Sequence, residues 1–197
     1  MYIRFFFKDY NQFIVMVTRK KTRNPAKRHN KLISKSRTTK ASIRESVLFK
    51  VLRDDHKKLM GIMDNIERNS DDAEIVSELF SQMKEEIQIH SKAEDAAVYQ
   101  PMKGNDDTRF LSVHAHEEYS LFDHLIAELS NIGMDDEVWM AKFIILKHEI
   151  EHHIEHEESE IFNKLKSDFS KKEIDMMAEN MLTLKKEEME NIFIETI

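Results

Sequence analysis

The sequence predicts an all-α fold: an up-down-up-down four-helix bundle with an additional C-terminal helix and a disordered basic N-terminal arm. The 197 residues include three glycines, two prolines and no cysteine. In five segments, apolar residues recur at the three- and four-residue spacing of an amphipathic helix. Because the turns between these segments are short, we expect neighbouring helices to run antiparallel.

The charge of the chain changes sign after its first quarter. Residues 1–44 hold thirteen Lys and Arg and one acidic residue, Asp9, whereas residues 45–197 hold 17 basic and 36 acidic residues. Residues 19–44 have few apolar positions and no periodicity, which is typical of a disordered segment. We therefore predict a basic arm over 1–44 and a folded domain over 45–197.

Three interpretations of the basic arm remain open. It is a solvated tail, an arm that contacts nucleic acid or an anionic membrane surface, or an organelle-targeting peptide. Its apolar cluster at 1–17 is too short and too charged to span a bilayer, and it lacks the order of a secretory signal. We expect a cytoplasmic protein without a transmembrane segment, whose folded domain binds no nucleic acid.

Turn and capping signals place the first two helices. The first covers about 45–68, and the turn at 69–72 provides an N-cap for the second. The second helix reaches about Lys103 and bends or ends near Pro101. Its predicted inward stripe consists of Ile75, Val76, Leu79, Met83, Ile87 and Ala97.

The next three helices follow from similar signals. Residues 104–107 cap a third helix that runs to about Ile132, and Asp135 or Asp136 caps a fourth that ends near Ser167. A capping box, Ser170-Lys-Lys-Glu173, opens the fifth helix, whose inward positions are Ile174, Met177, Met181 and Leu184.

A run of four histidines and six glutamates occupies residues 148–162 on the fourth helix. At about 100° per residue, His153 and Glu157 fall within roughly 60° of the apolar line through Ile150. Burying a carboxylate costs several kcal/mol unless a cation or hydrogen bonds compensate its charge. We therefore predict a metal ion beside this His-x-x-x-Glu pair.

The second helix carries the same pair. His90 and Glu94 fall within roughly 20° of the line through Met83, and an aromatic residue follows each pair five positions after its glutamate, at Tyr99 and Phe162. Two inward His-x-x-x-Glu pairs provide what a two-metal site needs: imidazoles that terminate each ion and carboxylates that bridge them. Because the chain has no cysteine, its metal ligands must be nitrogen and oxygen.

Other polar residues near these motifs are weaker candidates for metal ligands. His56 lies at the edge of the first helix's stripe, about 60° from Leu59, and by itself is equally consistent with a buried histidine in a hydrogen bond. We expect a solvent-facing position for Glu149, Glu151, Glu155, Glu158 and Glu160. We expect a surface or supporting position for His148, His152 and His156.

Together these motifs resemble the hemerythrin-like (HHE) cation-binding domain. The similar stretches are Asp55-His56-Lys-Lys-Leu59, His90-x-x-x-Glu94 with its trailing aromatic and Pro101, and the run from His152 to Phe162, within about residues 48–190. The resemblance implies a non-haem di-iron centre, with two iron ions joined by an oxo or hydroxo bridge. The ligands it implies are His56, His90, Glu94, His153 and Glu157, with the two glutamates bridging the irons.

The third helix departs from the commonest family pattern, because Tyr119 occupies the position of the usual histidine. Tyr119 lies about 80° from Leu129, whereas His116 lies about 140° and His114 about 60° away on the other flank. We assign Tyr119 as the third-helix ligand and keep His116 and then His114 as alternatives. A phenolate ligand favours ferric iron and weakens reversible oxygen carriage.

The expected function is that of a di-iron protein that binds or senses O2, NO or iron, with a small diatomic or peroxide ligand at the metal. The alternative is a di-iron redox enzyme that disposes of peroxide or NO. A structural role, in which the metal only holds the bundle together, is the third class. No phosphate loop, dinucleotide fingerprint or nucleophile-base set accompanies the motifs, so hydrolase and kinase functions have no support.

Overall fold

The structure, a computed structural model, describes residues 45–195, so the basic arm predicted for 1–44 lies outside the described residues. Single π-helical turns, Asp95–Tyr99 and Glu157–Ile161, each join two α-helical segments. The elements of the described part are all helical, which confirms the all-α prediction: α1 (Val47–Arg68), α2 (Ala73–Glu94), α3 (Gln100–Lys103), α4 (Arg109–Leu129), α5 (Glu137–His156), α6 (Phe162–Asp168) and α7 (Lys171–Glu195). Across residues 45–195, no helix is both long enough and apolar enough to cross a lipid bilayer.

Side-chain caps fix three of the helix starts, as predicted. The Asp72 carboxylate accepts hydrogen bonds from two backbone N–H groups in the first turn of α2, and the Asp136 carboxylate accepts one in the first turn of α5. At α7, the Ser170 backbone N–H donates to Glu173 Oε2 at 2.7 Å and the Glu173 N–H donates to Ser170 Oγ at 3.3 Å. These bonds satisfy N–H groups that have no partner within the helix.

Two details of the prediction are wrong. The third-helix segment α4 begins after Thr108 and ends at Leu129, short of Ile132, and the Thr108 hydroxyl donates to the Met102 carbonyl at 2.7 Å instead of capping the helix. Ile75 is exposed, and Phe80 is buried in its place on α2. Phe80 lies four residues from Val76 and three from Met83, so the true stripe is shifted around the helix from the predicted one.

An aromatic cluster fills the core between the early turns of α2 and α5. Phe80 packs edge-to-face on Trp139, with ring centroids 5.3 Å apart, and Trp139 stacks on Phe143 at 5.5 Å. His90 and His153 lie at least ten residues further along the same two helices. His90 and His153 are therefore about 15 Å or more along these helices from this aromatic cluster.

The C-terminal helix α7 packs against both α1 and α2. Ile174, Met177 and Met181 are buried, as the sequence predicts. Further along α7, Lys185 donates a hydrogen bond to Asp55 of α1, the residue before His56. The last helix is thereby joined to the edge of the predicted metal site.

Candidate metal centre

Four parts of the fold bring the six predicted ligands together. The helix α1 contributes one, α2 two, α4 one, and α5 with its π-turn two. Each side chain is buried: His56, His90, Glu94, Tyr119, His153 and Glu157. Both glutamates are fully buried, at 0% exposure, in a region where an uncompensated carboxylate is strongly unfavourable. We call this set the inner centre.

Imidazole and carboxylate groups meet at the middle of the inner centre. His56 Nε2 lies 3.0 Å from Glu157 Oε2, and His90 Nε2 lies 3.1 Å from Glu94 Oε2. Two overlapping groups have ligand atoms within 4.8 Å of one another: His56 with His90 and Glu157, and Glu94 with His153 and Glu157. Glu157 belongs to both groups, which is the position required of a bridging carboxylate.

The other ring nitrogen of each inner histidine faces a second, outer carboxylate. The pairs are His56 Nδ1 with Glu158 at 2.9 Å, His90 Nδ1 with Asp55 at 3.4 Å, and His153 Nδ1 with Glu118 at 2.9 Å. A carboxylate on Nδ1 holds the hydrogen there and directs Nε2 inward. This is the arrangement by which proteins orient a metal-binding histidine.

Several inner atoms find no hydrogen-bond partner among the described residues. They are Nε2 of His56 and of His153, Oε1 of Glu94, and both side-chain oxygens of Glu157. Buried polar atoms are normally satisfied, so a set of unsatisfied atoms in one place requires an explanation. Neutral imidazole nitrogens and carboxylate oxygens are all electron-pair donors, which is the donor set of a transition-metal site.

The two neighbouring histidines of the inner centre differ in charge. Their ring centroids are 5.1 Å apart. Burial and the adjacent charge of His90 lower the pKa of His56 to about 4. Burial also acts to lower the pKa of His90, but its hydrogen bonds with Asp55 and Glu94 outweigh burial and raise the pKa to about 9. At neutral pH, without a metal, His90 carries a proton and His56 does not.

The pKa values of the two inner glutamates are shifted in opposite directions. Burial acts to raise the pKa of Glu94, but the hydrogen bond and charge of His90 outweigh it and the pKa is lowered. Burial and the charge of Glu94 raise the pKa of Glu157 well above its usual value. One positive charge at His90 therefore stabilises one carboxylate, and Glu157 is the group that a bound cation would stabilise most.

Among the three third-helix candidates, Tyr119 is the one whose side chain reaches the inner carboxylates. Its hydroxyl donates to Glu94 Oε2, and its ring lies 5.1 Å from that of His153. Burial and the Glu94 charge raise the pKa of Tyr119 well above its usual value, so the phenol is neutral in the metal-free protein. His116 is exposed and lies 3.7 Å from Asp95, and His114 contacts Glu118 instead.

A π-helical turn follows each His-x-x-x-Glu pair. The first turn begins directly after Glu94 and ends at Tyr99, and the second begins at Glu157 and is followed by Phe162. Both aromatic side chains are fully buried. A π-turn inserts one residue into the helical register and is common at functional sites. The repeated aromatic is visible in the sequence, but the change of register that buries it is not.

The sequence reasoning missed the three outer carboxylates. Glu158, expected to face solvent, accepts hydrogen bonds from His56 and from Arg53 at 3.1 Å. Each missed acid directly adjoins a predicted ligand, in the pairs Asp55 and His56, Glu118 and Tyr119, and Glu157 and Glu158. Neighbouring residues on a helix point about 100° apart, so the acid beside one ligand reaches the histidine of another helix. An acid next to an inward ligand is the signal that identifies these residues.

A small apolar cavity adjoins the inner centre. Its walls include Leu59, Ile87, Phe122, Ile150 and Ile154 together with His56, His90, Ser91, Tyr119 and His153. Its volume is about 10 Å³. That is room for about one water molecule, so a molecule that enters beside the metal ligands must be very small or must displace side chains.

The family model for the hemerythrin HHE cation binding domain matches residues 47–165. This range includes all six predicted ligands and the three outer carboxylates. It ends before α7, so the match is shorter than the 48–190 expected from the sequence motifs. Comparison with curated proteins and with solved structures gave no match.

Proposed function

The chain belongs to the hemerythrin HHE cation-binding domain family, and on this premise we propose that it holds two non-haem iron ions and binds or senses O2, NO or iron. The ligands in this proposal are the six residues of the inner centre, with Glu94 and Glu157 shared between the ions. The proposal includes an up-down-up-down arrangement of α1, α2, α4 and α5, which their short connections favour.

The observation that carries the proposal is a pair of acceptors that face each other in a buried site. Because His56 Nδ1 donates to Glu158, its Nε2 presents a lone pair to Glu157 Oε2 at 3.0 Å. Two lone pairs at this distance repel unless a proton or a metal cation lies between or beside them. His153 repeats the arrangement, with Glu118 on Nδ1 and an unpaired Nε2 among the inner carboxylates.

Bound iron supplies the redox chemistry and the affinity for diatomic molecules. The chain's own residues supply orientation and exclusion of water. The outer carboxylates fix each imidazole and increase its basicity, and the cavity of about 10 Å³ limits which molecules reach the centre. In the metal-free protein, the Tyr119 hydroxyl holds a proton at Glu94 Oε2, beside the same cavity.

Metal analysis of the full-length protein after expression with added iron tests the proposal. We expect two irons per chain and loss of iron in Glu94→Ala, because that variant removes a fully buried carboxylate ligand. Glu85→Ala, at an exposed position on the same helix α2, is the matched control and should retain both irons. One equivalent of zinc, or no metal at all, would contradict the di-iron assignment.

A redox enzyme that disposes of peroxide or NO is the alternative function. It is favoured by two buried phenols beside the ligands, Tyr119 on Glu94 and Tyr99 with its ring 6.0 Å from that of Tyr119. A phenol at this position can donate a proton to a small molecule that is being reduced. Steady-state turnover of peroxide by the iron-loaded protein, lost in Glu94→Ala, would establish the enzyme. If the iron-loaded protein does not turn over peroxide, binding or sensing remains the proposed function.

A further inference from the structure

A second group of potential metal ligands lies outside the inner centre. One ligand atom from each of His114, Glu118 and His156 lies within 4.8 Å of the others. The side chains are mostly but not fully buried, with 16%, 15% and 12% exposure respectively. We call this group the outer triad. None of its members belongs to the six ligands of the inner centre.

Helix geometry alone brings two of the outer triad together. His114 and Glu118 are four residues apart on α4 and so share a face, and His114 Nδ1 lies 3.4 Å from Glu118 Oε2. In a tetrahedral site with bonds of about 2.1 Å, neighbouring ligand atoms are about 3.4 Å apart. The pair therefore already has the separation of two ligands on one ion.

The third member comes from another helix. His156 is the last residue of α5, directly before the π-turn, and its ring centroid lies 5.8 Å from that of His114. Neither ring nitrogen of His156 has a hydrogen-bond partner in residues 45–195, although Nε2 lies 3.4 Å from Glu160 Oε2. His156, for which a surface or supporting position was expected, is mostly buried with its polar atoms unsatisfied, which is unfavourable in a metal-free protein.

We propose that His114, Glu118 and His156 bind one divalent transition-metal ion, separate from the ions of the inner centre. Two imidazoles and one carboxylate suit Zn²⁺ or Fe²⁺, and the remaining coordination positions are left to water. Because each ligand keeps some solvent contact, this ion exchanges with solution more readily than one held by the fully buried Glu94 and Glu157. The proposal does not depend on the identity of the inner ions.

Glu118 connects the outer triad to the inner centre. Its Oε2 accepts a hydrogen bond from His153 Nδ1 at 2.9 Å, while its Oε1 lies 3.9 Å from His152 Nδ1. A cation bound to this carboxylate withdraws charge from the bond to His153 and so weakens the electron donation of that imidazole to an inner ion. A metal ion in the outer triad is therefore expected to weaken the electron donation of His153 to an inner ion, without any movement of the inner ligands.

Zinc titration of the full-length protein as purified, with iron measured in the same samples, tests the outer triad. The wild-type chain is expected to bind one Zn²⁺ without releasing iron. His156→Ala and the milder His156→Gln should both lose this zinc, and His114→Ala should lose it as well. Helical circular dichroism that matches the wild type shows that each variant is folded.

Two controls separate this site from other zinc-binding groups. His148→Ala alters an exposed histidine on the same helix and should keep the zinc, which excludes a surface pair with His152. Glu94→Gln removes an inner ligand and should still bind zinc at the outer triad, so that adding His114→Ala to Glu94→Gln lowers its zinc content by one ion. Failure of the iron proposal is then not mistaken for failure of this one. Zinc that displaces iron, or that survives both His156 substitutions and His114→Ala, would overturn the proposal.

Discussion

The inner centre and the outer triad contain the same kinds of side chain, yet their surroundings differ. Inner ligands are buried, and each inner imidazole has a carboxylate on Nδ1 that fixes its orientation. In the outer triad every side chain keeps some exposure, and the His156 ring has no hydrogen bond to orient it within the described chain. We therefore expect the inner centre to hold a metal ion more tightly than the outer triad.

The fully buried carboxylates are the feature that the outer triad lacks. Glu157 has its pKa raised by burial and by Glu94, so the metal-free inner centre is destabilised by its own ligands. Glu118 is under the opposite influence, because hydrogen bonds from His114 and His153 outweigh its burial and lower its pKa. A bound cation would therefore stabilise the ionised form of Glu157 most, whereas Glu118 is already stabilised by its hydrogen bonds.

The largest expected effect follows from Glu157→Gln, which removes the ionisable carboxyl group of Glu157 and keeps the shape of the side chain. Iron content should fall by at least one ion per chain, because a neutral amide is a poor bridging ligand. The metal-free variant should nevertheless be more stable than the metal-free wild type, by on the order of 1–3 kcal/mol, because the buried Glu157 carboxyl group no longer has to be ionised or protonated. Metal analysis and urea unfolding measure the two effects.

Glu155→Gln, at an exposed position two residues earlier, is the control and should change neither quantity. If Glu157→Gln destabilised the metal-free protein, Glu157 would be a structural hydrogen-bonding residue, and the contrast with the outer triad would fail.

The next effect in size concerns Glu118, the residue shared by both regions. Glu118→Gln should weaken iron binding about 10- to 100-fold, the usual cost of losing a carboxylate that orients a metal-binding histidine. It should also abolish zinc binding at the outer triad. Competition with a chelator measures the first effect and zinc titration the second.

Glu117→Gln changes the exposed neighbour of Glu118 and should leave both metals bound. Loss of zinc without any weakening of iron would show that Glu118 serves the outer triad alone.

A smaller effect on iron content is expected from Tyr119→Phe, which keeps the ring packing and deletes the hydroxyl. If the phenolate ligates ferric iron, the oxidised protein has a visible charge-transfer band that this variant loses. Tyr99→Phe, beside it in the same buried cluster, should keep the band. Absorption spectra of the three proteins decide the assignment.

The variant His116→Ala tests the alternative that a histidine is the third-helix ligand. His116 is exposed and lies 3.7 Å from Asp95, so its loss should leave the band and the iron unchanged. Iron loss in His116→Ala together with an unchanged spectrum in Tyr119→Phe would transfer the third-helix ligand to histidine and make oxygen binding the better-supported function.

The smallest effect is expected at Lys185, which reaches the inner centre through two hydrogen bonds. Burial acts to raise the pKa of Asp55, but hydrogen bonds from His90 and Lys185 outweigh it and lower the pKa. Lys185→Met removes one of these bonds and should cost about 1 kcal/mol of stability and no more than about tenfold in iron affinity. Lys186→Met, at an exposed neighbour, is the control. An equal effect of both variants in thermal unfolding and chelator competition would exclude a role for Lys185 in orienting His90.

Much of the fold was readable from the sequence, because the signals involved are local. The caps at Asp72 and Asp136 and the capping box of α7 depend on residues two or three positions apart. The same local periodicity predicted that His90, Glu94, His153 and Glu157 face inward, and they are buried. Their service as metal ligands stays a prediction.

Contacts between helices were not readable in this way. The bond of Glu158 to His56 joins residues 102 positions apart, and that of Glu118 to His153 joins residues 35 positions apart. Adjacency to an inward ligand marks these acids as candidates, but no local pattern shows which histidine of another helix each acid contacts. The register shift at the two π-turns and the inward position of His156 also depend on how the helices pack.

By itself, the sequence determined that the described chain is helical and which positions carry its two His-x-x-x-Glu pairs, since both follow from the 3.6-residue period of a helix. The tertiary structure decided which carboxylate orients each imidazole, whether Tyr119 or a neighbouring histidine reaches Glu94, and that His156 joins His114 and Glu118. These outcomes depend on the rotation and spacing of one helix against another. Packing of the whole core sets those quantities, and no segment encodes them alone.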